Sequence, residues 1–574
     1  MAGKLRFLDS REDEQQRGIT MESSAVSLGF KLLRQNEEGQ PQAQDFMINM
    51  IDTPGHVDFS SEVSTAARLC DGVLIMVDVV EGVCTQTISV LQQAYNDRLR
   101  PILVINKMDR LITELKLSPG EAYYHLSQLI EGVNAVIGSF FASDKLVDDY
   151  RWRELSEKYN NKEQKFEERD DEELYFSPEK GNVLFSSAAD GWAFRVSKFA
   201  QIYASKLGCS ESNLRKALWG DYYLDPKTKK LIGKKAVGNR NMKPLFVQFV
   251  LDNIWAAYDA ITINPDMDRV NKIITALNIR VHPRELKTKE TKTLLFTVFS
   301  SWLPLASATF SAVVDVIPSP SYAQALRLPK MLHPLDPQPP QSVTPEPKND
   351  VERALFGCNS ENAPLVAYVS KMFAVPANEL PENRRRGLTA EEMRERGRQS
   401  REKAAAVNAA LGATGMTSNE PEQISLSEKI ENIEINDDET NNEEEPVEDI
   451  VEESMIGFAR IYSGTLKLGS DQGVKCLLPK YNTELPPSHP HNIKNVKDVN
   501  VKSLYMMMGR DLVPVSEVPA GNVFAIGGLD GIVLRNATLC GPSDKCVEDE
   551  WSNDGYINLA SVANQVSFFK NKNN

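Results

Sequence analysis

Four short apolar runs, each closed by a polar or small residue, constrain this chain more than any other feature: Phe46–Asp52, Val73–Asp78, Ile102–Asn106 and Val183–Ser186. Runs of this length and composition read as strands buried on both faces. Between them Thr85–Asp97, Gly120–Ile137 and Trp192–Lys206 read as helices. Ser118 and Pro119 stand as N-cap and first-turn pair before the second, and Gly208 follows the third as a left-handed cap. Strands alternating with helices predict βαβ units and an α/β fold with a mainly parallel sheet, whose ligands lie at the carboxyl ends of the strands. The chemically useful residues fall at those ends.

Asn106-Lys107-Met108-Asp109 closes one strand. A carboxylate at Asp109 can accept two hydrogen bonds from the ring N–H and exocyclic amine of guanine. Adenine offers neither donor there and would leave a desolvated carboxylate unpaired. Asn106 can hold the base edge and neighbouring loops, while the Lys107 stem can lie over the base plane. Asp52-Thr53-Pro54-Gly55-His56 closes another strand. Asp52 suits a magnesium site reached through water. Gly55 permits close backbone approach to a terminal phosphate, and His56 is placed to orient or polarise an attacking water. An ordinary turn would account for Pro54 and Gly55 but not for Asp52 and His56. Arg17-Gly18-Ile19-Thr20 is a weaker signal, in which the Thr20 hydroxyl can complete a magnesium shell in a loop released on hydrolysis. Ser187-Ala188-Ala189 follows Val183–Ser186 and can turn backbone N–H groups toward the guanine oxygen; alone it too is weak.

Beyond residue 208 the pattern changes. Residues 209–330 read as a mostly helical insertion, with helices at Leu245–Ile263, Met267–Leu277 and Ser301–Ile317, and the Pro-rich residues 318–347 read as a linker or extended wrap. Leu365–Val375, Ile456–Lys467 around a Ser463-Gly464 turn, and Val523–Gly527 read as strands of a small barrel. Residues 377–453 interrupt it with a basic, helix-prone stretch (Arg384–Lys403) and then an acidic tract, and predict a mobile insertion. The net charge of −15 argues against a nucleic-acid partner only superficially, because the twelve acidic residues of Glu431–Glu453, with no basic one among them, supply most of it. Seven cysteines without a CxxC pair fit neither a zinc knuckle nor a disulfide framework. The best apolar run, Val73–Val80, is broken by Asp78, and Met1–Asp9 has no apolar core of a signal peptide, so the expectation is a cytosolic or nuclear protein without a membrane segment.

In order, Arg17–Thr20, Asp52–His56, Asn106–Asp109 and Ser187–Ala189 resemble the successive signature elements of translational GTPases. Asp9–Thr20, His56–Glu62, Leu218–Tyr223 and Ser301–Pro304 are similar to the ribosomal translocase branch, as are Ser370–Met372, Met508–Arg510 and Val518–Asn522 of its second-domain barrel. The wording of Asp9–Ser27 and Ser187–Phe194, with the long charged insertion, resembles the elongation-factor-like GTPases of large-subunit maturation more than the translocases. The resemblance implies a P-loop-NTPase-like GTP-binding domain over residues 1–208, its insertion over 209–330, a linker over 331–363, a translation-factor barrel over 364–540 and an unmatched tail over 541–574.

It further implies GTP/GDP and Mg2+ as cofactors, with Thr20 and Asp52 as metal ligands. It implies a cytoplasmic monomer acting on the large (60S) ribosomal subunit and its rRNA, with the Shwachman–Bodian–Diamond protein, to release the anti-association initiation factor. No segment fits G-x-x-x-x-G-K-[S/T]. Family members carry that loop and its strand just ahead of the point where this chain starts, and further domains beyond its end. The expectation is therefore the middle of a longer protein. The alternatives are a nucleotide-incompetent ribosome-binding protein and a translocase of elongation.

Overall fold

A computed structural model describes residues 8–9, 11–35, 41–159, 172–225, 230–237, 240, 242–282, 286, 290–332, 346–383, 453–469, 473–483, 485–486, 488–509, 511–541 and 557–559. One compact unit comprises Met1–Phe373 and Met455–Asn574; a second, Ala374–Ser454, contributes a strand end and the turn Ala377–Glu379. Most of the expected charged insertion (384–452), part of the expected linker (333–345) and most of the tail (542–556 and 560–574) lie outside the described residues.

The chain opens with α1 (Glu12–Arg17), closed by Gly18 at φ 66°. A long hairpin follows, β1 (Ser24–Gln35) and β2 (Pro41–Asp52), in unbroken antiparallel register from Ser24↔Asp52 to Gln35↔Pro41. After α2 (Ser60–Leu69) come β3 (Gly72–Asp78), α3 (Thr85–Asn96), β4 (Arg100–Asn106), α4 (Asp109–Thr113), α5 (Pro119–Tyr159), β5 (Val183–Ser187), β6 (Trp192–Phe194) and α6 (Val196–Leu207). Strands β3, β4 and β5 are parallel, and β6 adds antiparallel to β5. The register Asp78↔Asn106 lines up the carboxyl ends of β3 and β4. Ile102–Ile105 and all of β5 are buried, as continuous apolar strands in a parallel sheet must be.

Two expectations are corrected here. The run ending at Asp52 is not a strand of the parallel sheet. It pairs along its length with β1, which joins the C-terminal sheet at Val26↔Met508. The alternation of SAVSLGFKLL supplies β1 with a partner face, and an antiparallel neighbour of matching length uses every residue of β2. Trp192–Phe194, expected at the start of a helix, is a strand because its aromatic rings fill the core: Trp192 stacks on Phe299, and Phe194 on Phe185.

Next come α7 (Glu211–Leu218), the small hairpin β7 (Tyr222–Leu224) and β8 (Leu231–Gly233), and α8 (Lys234–Val237). A helical stretch with π turns Val247–Leu251 and Asp259–Ile263 flanks α9 (Asp252–Tyr258), and α10 (Met267–Leu277) follows. The helix expected at Ser301–Ile317 is two: α11 (Thr291–Trp302) and α12 (Leu305–Val316). Pro304 begins the second because it has no N–H to continue the first. Part of the expected extended wrap is α13 (Pro320–Leu332), which buries Arg327 and Leu328, and α14 (Asp350–Gly357) is capped by Asn349, whose Oδ1 accepts from Glu352 N at 2.7 Å.

The remainder is β: β9 (Val366–Pro376), β10 (Glu453–Ser463), β11 (Thr465–Lys467), β12 (Val474–Leu477), the short α15 (Pro490–Lys494), β13 (Val496–Val499), β14 (Ser503–Met508), β15 (Asp511–Pro514), β16 (Glu517–Pro519), β17 (Val523–Gly527) and β18 (Ala537–Cys540). Its main sheet runs β13-β12-β18-β9-β10-β17-β14-β1-β2, around a separate core containing Val369, Ile461, Phe524 and Leu539.

Candidate functional site

At the carboxyl ends of β4 and β5 the chain makes a tight polar cluster. Ser187 Oγ donates to Asp109 Oδ1 at 2.8 Å. Asn106 Oδ1 accepts from Ala188 N at 3.1 Å and from Ser186 Oγ at 3.2 Å. Four residues singled out from the sequence (Asn106, Asp109, Ser187 and Ala188) are thereby joined across some 80 positions of chain. Ala189 lies in the turn that follows, exposed. The Asn106 oxygen is spent inside the protein, so the function left to its side chain is donation by the amide. Asp109 keeps one carboxylate oxygen beyond its bond to Ser187. Burial pushes the Asp109 carboxyl above its ordinary range, the Ser187 bond opposes that, and the neighbouring Asp190 carboxylate adds to it. A desolvated acceptor with spare capacity beside a free amide donor fits the hydrogen-bonding edge of guanine.

Further side chains surround this cluster. Lys107, in a left-handed conformation at φ 62°, places Nζ 2.8 Å from Asp78 Oδ2, and Arg110 NH1 donates to the same oxygen at 2.8 Å. Burial acts to raise the Asp78 carboxyl, but the bonds from Lys107 and from the backbone N–H groups of Val80 and Glu81 prevail and hold it below its usual range. Asp190 Oδ2 lies 3.2 Å from Ser187 Oγ, whose one proton it shares with Asp109, and accepts from Tyr258 OH, whose oxygen accepts from buried Trp192 Nε1 at 2.9 Å. Asp78 ends its strand as Asp52 and Asn106 end theirs, so the sequence carried its signal. Arg110, Asp190 and Tyr258 had no local signal.

A second group lies at one end of the β1–β2 hairpin, where Ser24 pairs with Asp52. Asp52 ends one strand, Gly55 and His56 follow it, and Thr20 precedes the other strand by four residues. Thr20 Oγ1 donates to the buried Asp9 at 2.9 Å. That bond uses the hydroxyl proton and leaves the oxygen lone pairs, so Thr20 can still offer an oxygen to magnesium, and Asp52 offers carboxylate oxygens from the facing strand. His56 is half exposed; its Nδ1 lies 3.3 Å from Asp58 N and 3.4 Å from Asp58 Oδ2. At Gly55 an added Cβ would meet nothing within 4 Å. The two groups belong to different sheets, a separation that the sequence did not foretell.

The segment bearing His56 is anchored downstream. The last carbonyls of α2 have no partners within the helix. Arg327 of α13 donates to Ala67 O at 2.8 Å and to Cys70 O, Tyr462 OH of β10 donates to Arg68 O at 2.6 Å, and Arg460 of β10 donates to Leu69 O at 2.7 Å. Both arginines are buried. No group of three or more His, Cys, Asp or Glu side chains among the described residues is arranged to hold a metal by protein ligands alone.

Residues 2–277 match the model of the Elongation factor Tu GTP binding domain. Over 542 residues, 94% of the chain, it is 48% identical to Ribosome assembly protein 1 of Schizosaccharomyces pombe, of which it covers 50%. It is 40% identical to Ribosome assembly protein 1 of Saccharomyces cerevisiae, covering 55% of that protein, and 42% identical to Elongation factor-like GTPase 1 of Homo sapiens, covering 49%; each alignment takes in 94% of this chain. The chain spans about half the length of the curated relatives it matches. No helix among the described residues is long and apolar enough to cross a membrane. Residues 2–277 are thus similar to the elongation factor Tu GTP-binding domain, and most of the chain is similar to proteins named Ribosome assembly protein 1 and Elongation factor-like GTPase 1.

Proposed function

We propose that this chain supplies the guanine-recognition and switch elements of a GTPase that acts in cytoplasmic maturation of the large ribosomal subunit. There GTP hydrolysis drives release of the anti-association factor, with the Shwachman–Bodian–Diamond protein as co-factor of release. The names of the relatives support the ribosomal part of this reading. The observation that carries the nucleotide part is the Asn106–Asp109–Ser187–Ala188 cluster. In it the Asn106 amide nitrogen and one oxygen of the partly buried Asp109 carboxylate remain beyond the bonds that join the cluster.

In this reading Asp109 pairs with the guanine N–H groups, Lys107 covers the base with its stem, and Ala188 and Ala189 offer backbone N–H groups to the guanine oxygen. His56 orients the attacking water by hydrogen bonding, while Gly55 N–H contacts the terminal phosphate. Thr20 and Asp52 would hold magnesium, Asp52 through water; the ion neutralises phosphate charge when bound.

The base site can be tested apart from the phosphates. At millimolar concentration, GDP and GTP should raise the melting temperature of the 574-residue chain more than ADP and ATP do. Asp109→Asn should move that preference to xanthosine nucleotides, because an amide donor then meets a base oxygen. Equal shifts for adenosine and guanosine nucleotides would remove Asp109 from base recognition. Co-sedimentation of the natural protein with large subunits, rather than with whole ribosomes, checks the ribosomal part.

A further inference from the structure

One side chain of the C-terminal strands bridges the two segments that flank this site. Lys371 of β9 is almost buried, its side chain 12% exposed, and all three of its ammonium protons have acceptors. Nζ lies 2.9 Å from Ser23 O, 3.0 Å from Glu22 Oε1 and 3.3 Å from Glu62 Oε2. Glu62 Oε2 also accepts from Ser23 Oγ at 3.2 Å. Its neighbour Ser370 fixes the strand, donating to Phe458 O of β10 at 3.0 Å.

Each acceptor stands close to a residue of the proposed phosphate side. Glu22 and Ser23 lie two and three residues after Thr20. Glu62 sits in the first turn of α2, six residues after His56. The loop between Thr20 and β1 is pinned from its other side by Glu14, whose Oε1 accepts from Met21 N at 2.8 Å and Glu22 N at 2.9 Å. Two carboxylates from separate segments, Glu22 and Glu62, thus meet at one ammonium. Without that charge the two partly buried carboxylates repel, with only Arg11 still 3.6 Å from Glu22, and the two segments part.

We propose that Lys371 is a positioning residue that holds the Thr20 segment and the His56 segment in one arrangement, so that the C-terminal sheet sets their spacing. The inference rests on the proposed function for its meaning, since only there do Thr20 and His56 act on one phosphate. Among the described residues, the bonds of Lys371 do not reach the base cluster at Asn106 and Asp109. A change in the arrangement of the C-terminal sheet then reaches both segments at once, and a change in either segment is felt at β9.

Hydrogen exchange of the whole 574-residue chain, read peptide by peptide without nucleotide, tests this. Lys371→Met should speed exchange by tenfold or more in two separate stretches, residues 19–23 and 57–62, while β3–β5 and β17–β18 keep their protection. Lys371→Arg, which keeps the charge, should restore both stretches together. If Lys371→Met unfolds the chain, Glu62→Gln serves in its place, with faster exchange at 19–23 as the expected result, because Ser23 loses its charged acceptor. Unchanged exchange at 19–23, acceleration spread evenly over the chain, or rescue of one stretch without the other would each overturn the proposal. No nucleotide enters the measurement. A coupled pair of segments in a protein that ignores guanine nucleotides would therefore refute the proposed function and leave the coupling standing.

Discussion

Arg460 and Asp71, 389 positions apart in sequence, meet at 2.7 Å with the arginine side chain 1% exposed. The same guanidinium donates to Leu69 O, so one buried cation serves a carboxylate and a helix end together. Removing it leaves both without their charged partner. Arg460→Met should destabilise the chain by about 3–5 kcal/mol. In a denaturant double-mutant cycle with Asp71→Asn the two losses should fall short of additivity by more than about 1 kcal/mol. Additive losses would mean that the contact contributes little.

Tyr258 links Asp190, beneath the base cluster, to the indole of Trp192. Tyr258→Phe keeps the ring in its packing against Phe299 but strands a fully buried indole N–H. A loss of about 1–3 kcal/mol is expected, the ordinary cost of an unsatisfied buried donor. Tryptophan fluorescence during urea unfolding would measure it; an unchanged midpoint would show that the hydroxyl is dispensable.

At Gly464 the backbone has φ 78°, and an added Cβ would lie 2.8 Å from Leu365 Cα and 3.0 Å from Pro364 O. Neither neighbour is a flexible side-chain end. Gly464→Ala should cost about 1–3 kcal/mol through strain. Gly55→Ala, with open space around it, should stay within about 0.5 kcal/mol of the parent. Thermal unfolding of the two variants side by side gives the comparison.

Asp109 titrates in the folded chain above its ordinary carboxyl value, with burial as the largest cause. The folded state therefore binds the Asp109 proton more tightly than the unfolded state does. Its contribution to stability is full below the unfolded value near 3.8 and is lost as pH rises through the higher folded value. Asp109→Asn should accordingly be more stable than the parent near neutral pH, by up to about 1 kcal/mol, and should lose that advantage below pH about 4. Melting curves from pH 3.5 to 7.5 would show it; a constant difference across that range would contradict the assignment.

The parallel sheet and the base cluster were legible because their signals are local. Each of β3, β4 and β5 is a short apolar run, with Ile102–Ile105 of β4 and all of β5 buried, and the residues that meet at Asp109 stand within three positions of a strand end. The hairpin was half legible. Phe46–Asp52 reads as a strand, but whether its neighbour is parallel or antiparallel depends on β1, which pairs with it from a different stretch of sequence. The 318–332 stretch was misread because its prolines outweighed its core contacts. Pro320 opens a helix readily, and Arg327 has acceptors at Ala67, Cys70 and Asp97 only once the chain has folded. Arg460 and Tyr258 were invisible for the same reason, because their partners are set by tertiary structure, and Lys371 stood out only within the resemblance of Ser370–Met372, which gave it no role.

The register of the β1–β2 hairpin has one more consequence. Ser27 and Asn49 are directly opposed, and the Ser27 hydroxyl bonds the Asn49 side chain at 2.7 Å; Phe30, three residues on, touches Phe310 of α12. A slip of one residue would send Phe30 to the wrong face and break that cross-strand bond. The hairpin therefore works as a ruler read from its inner end, where Asp52 is indexed against Ser24 whatever happens between Gln35 and Pro41. Insertions in that connection should lengthen the outer end and leave Asp52 where it is.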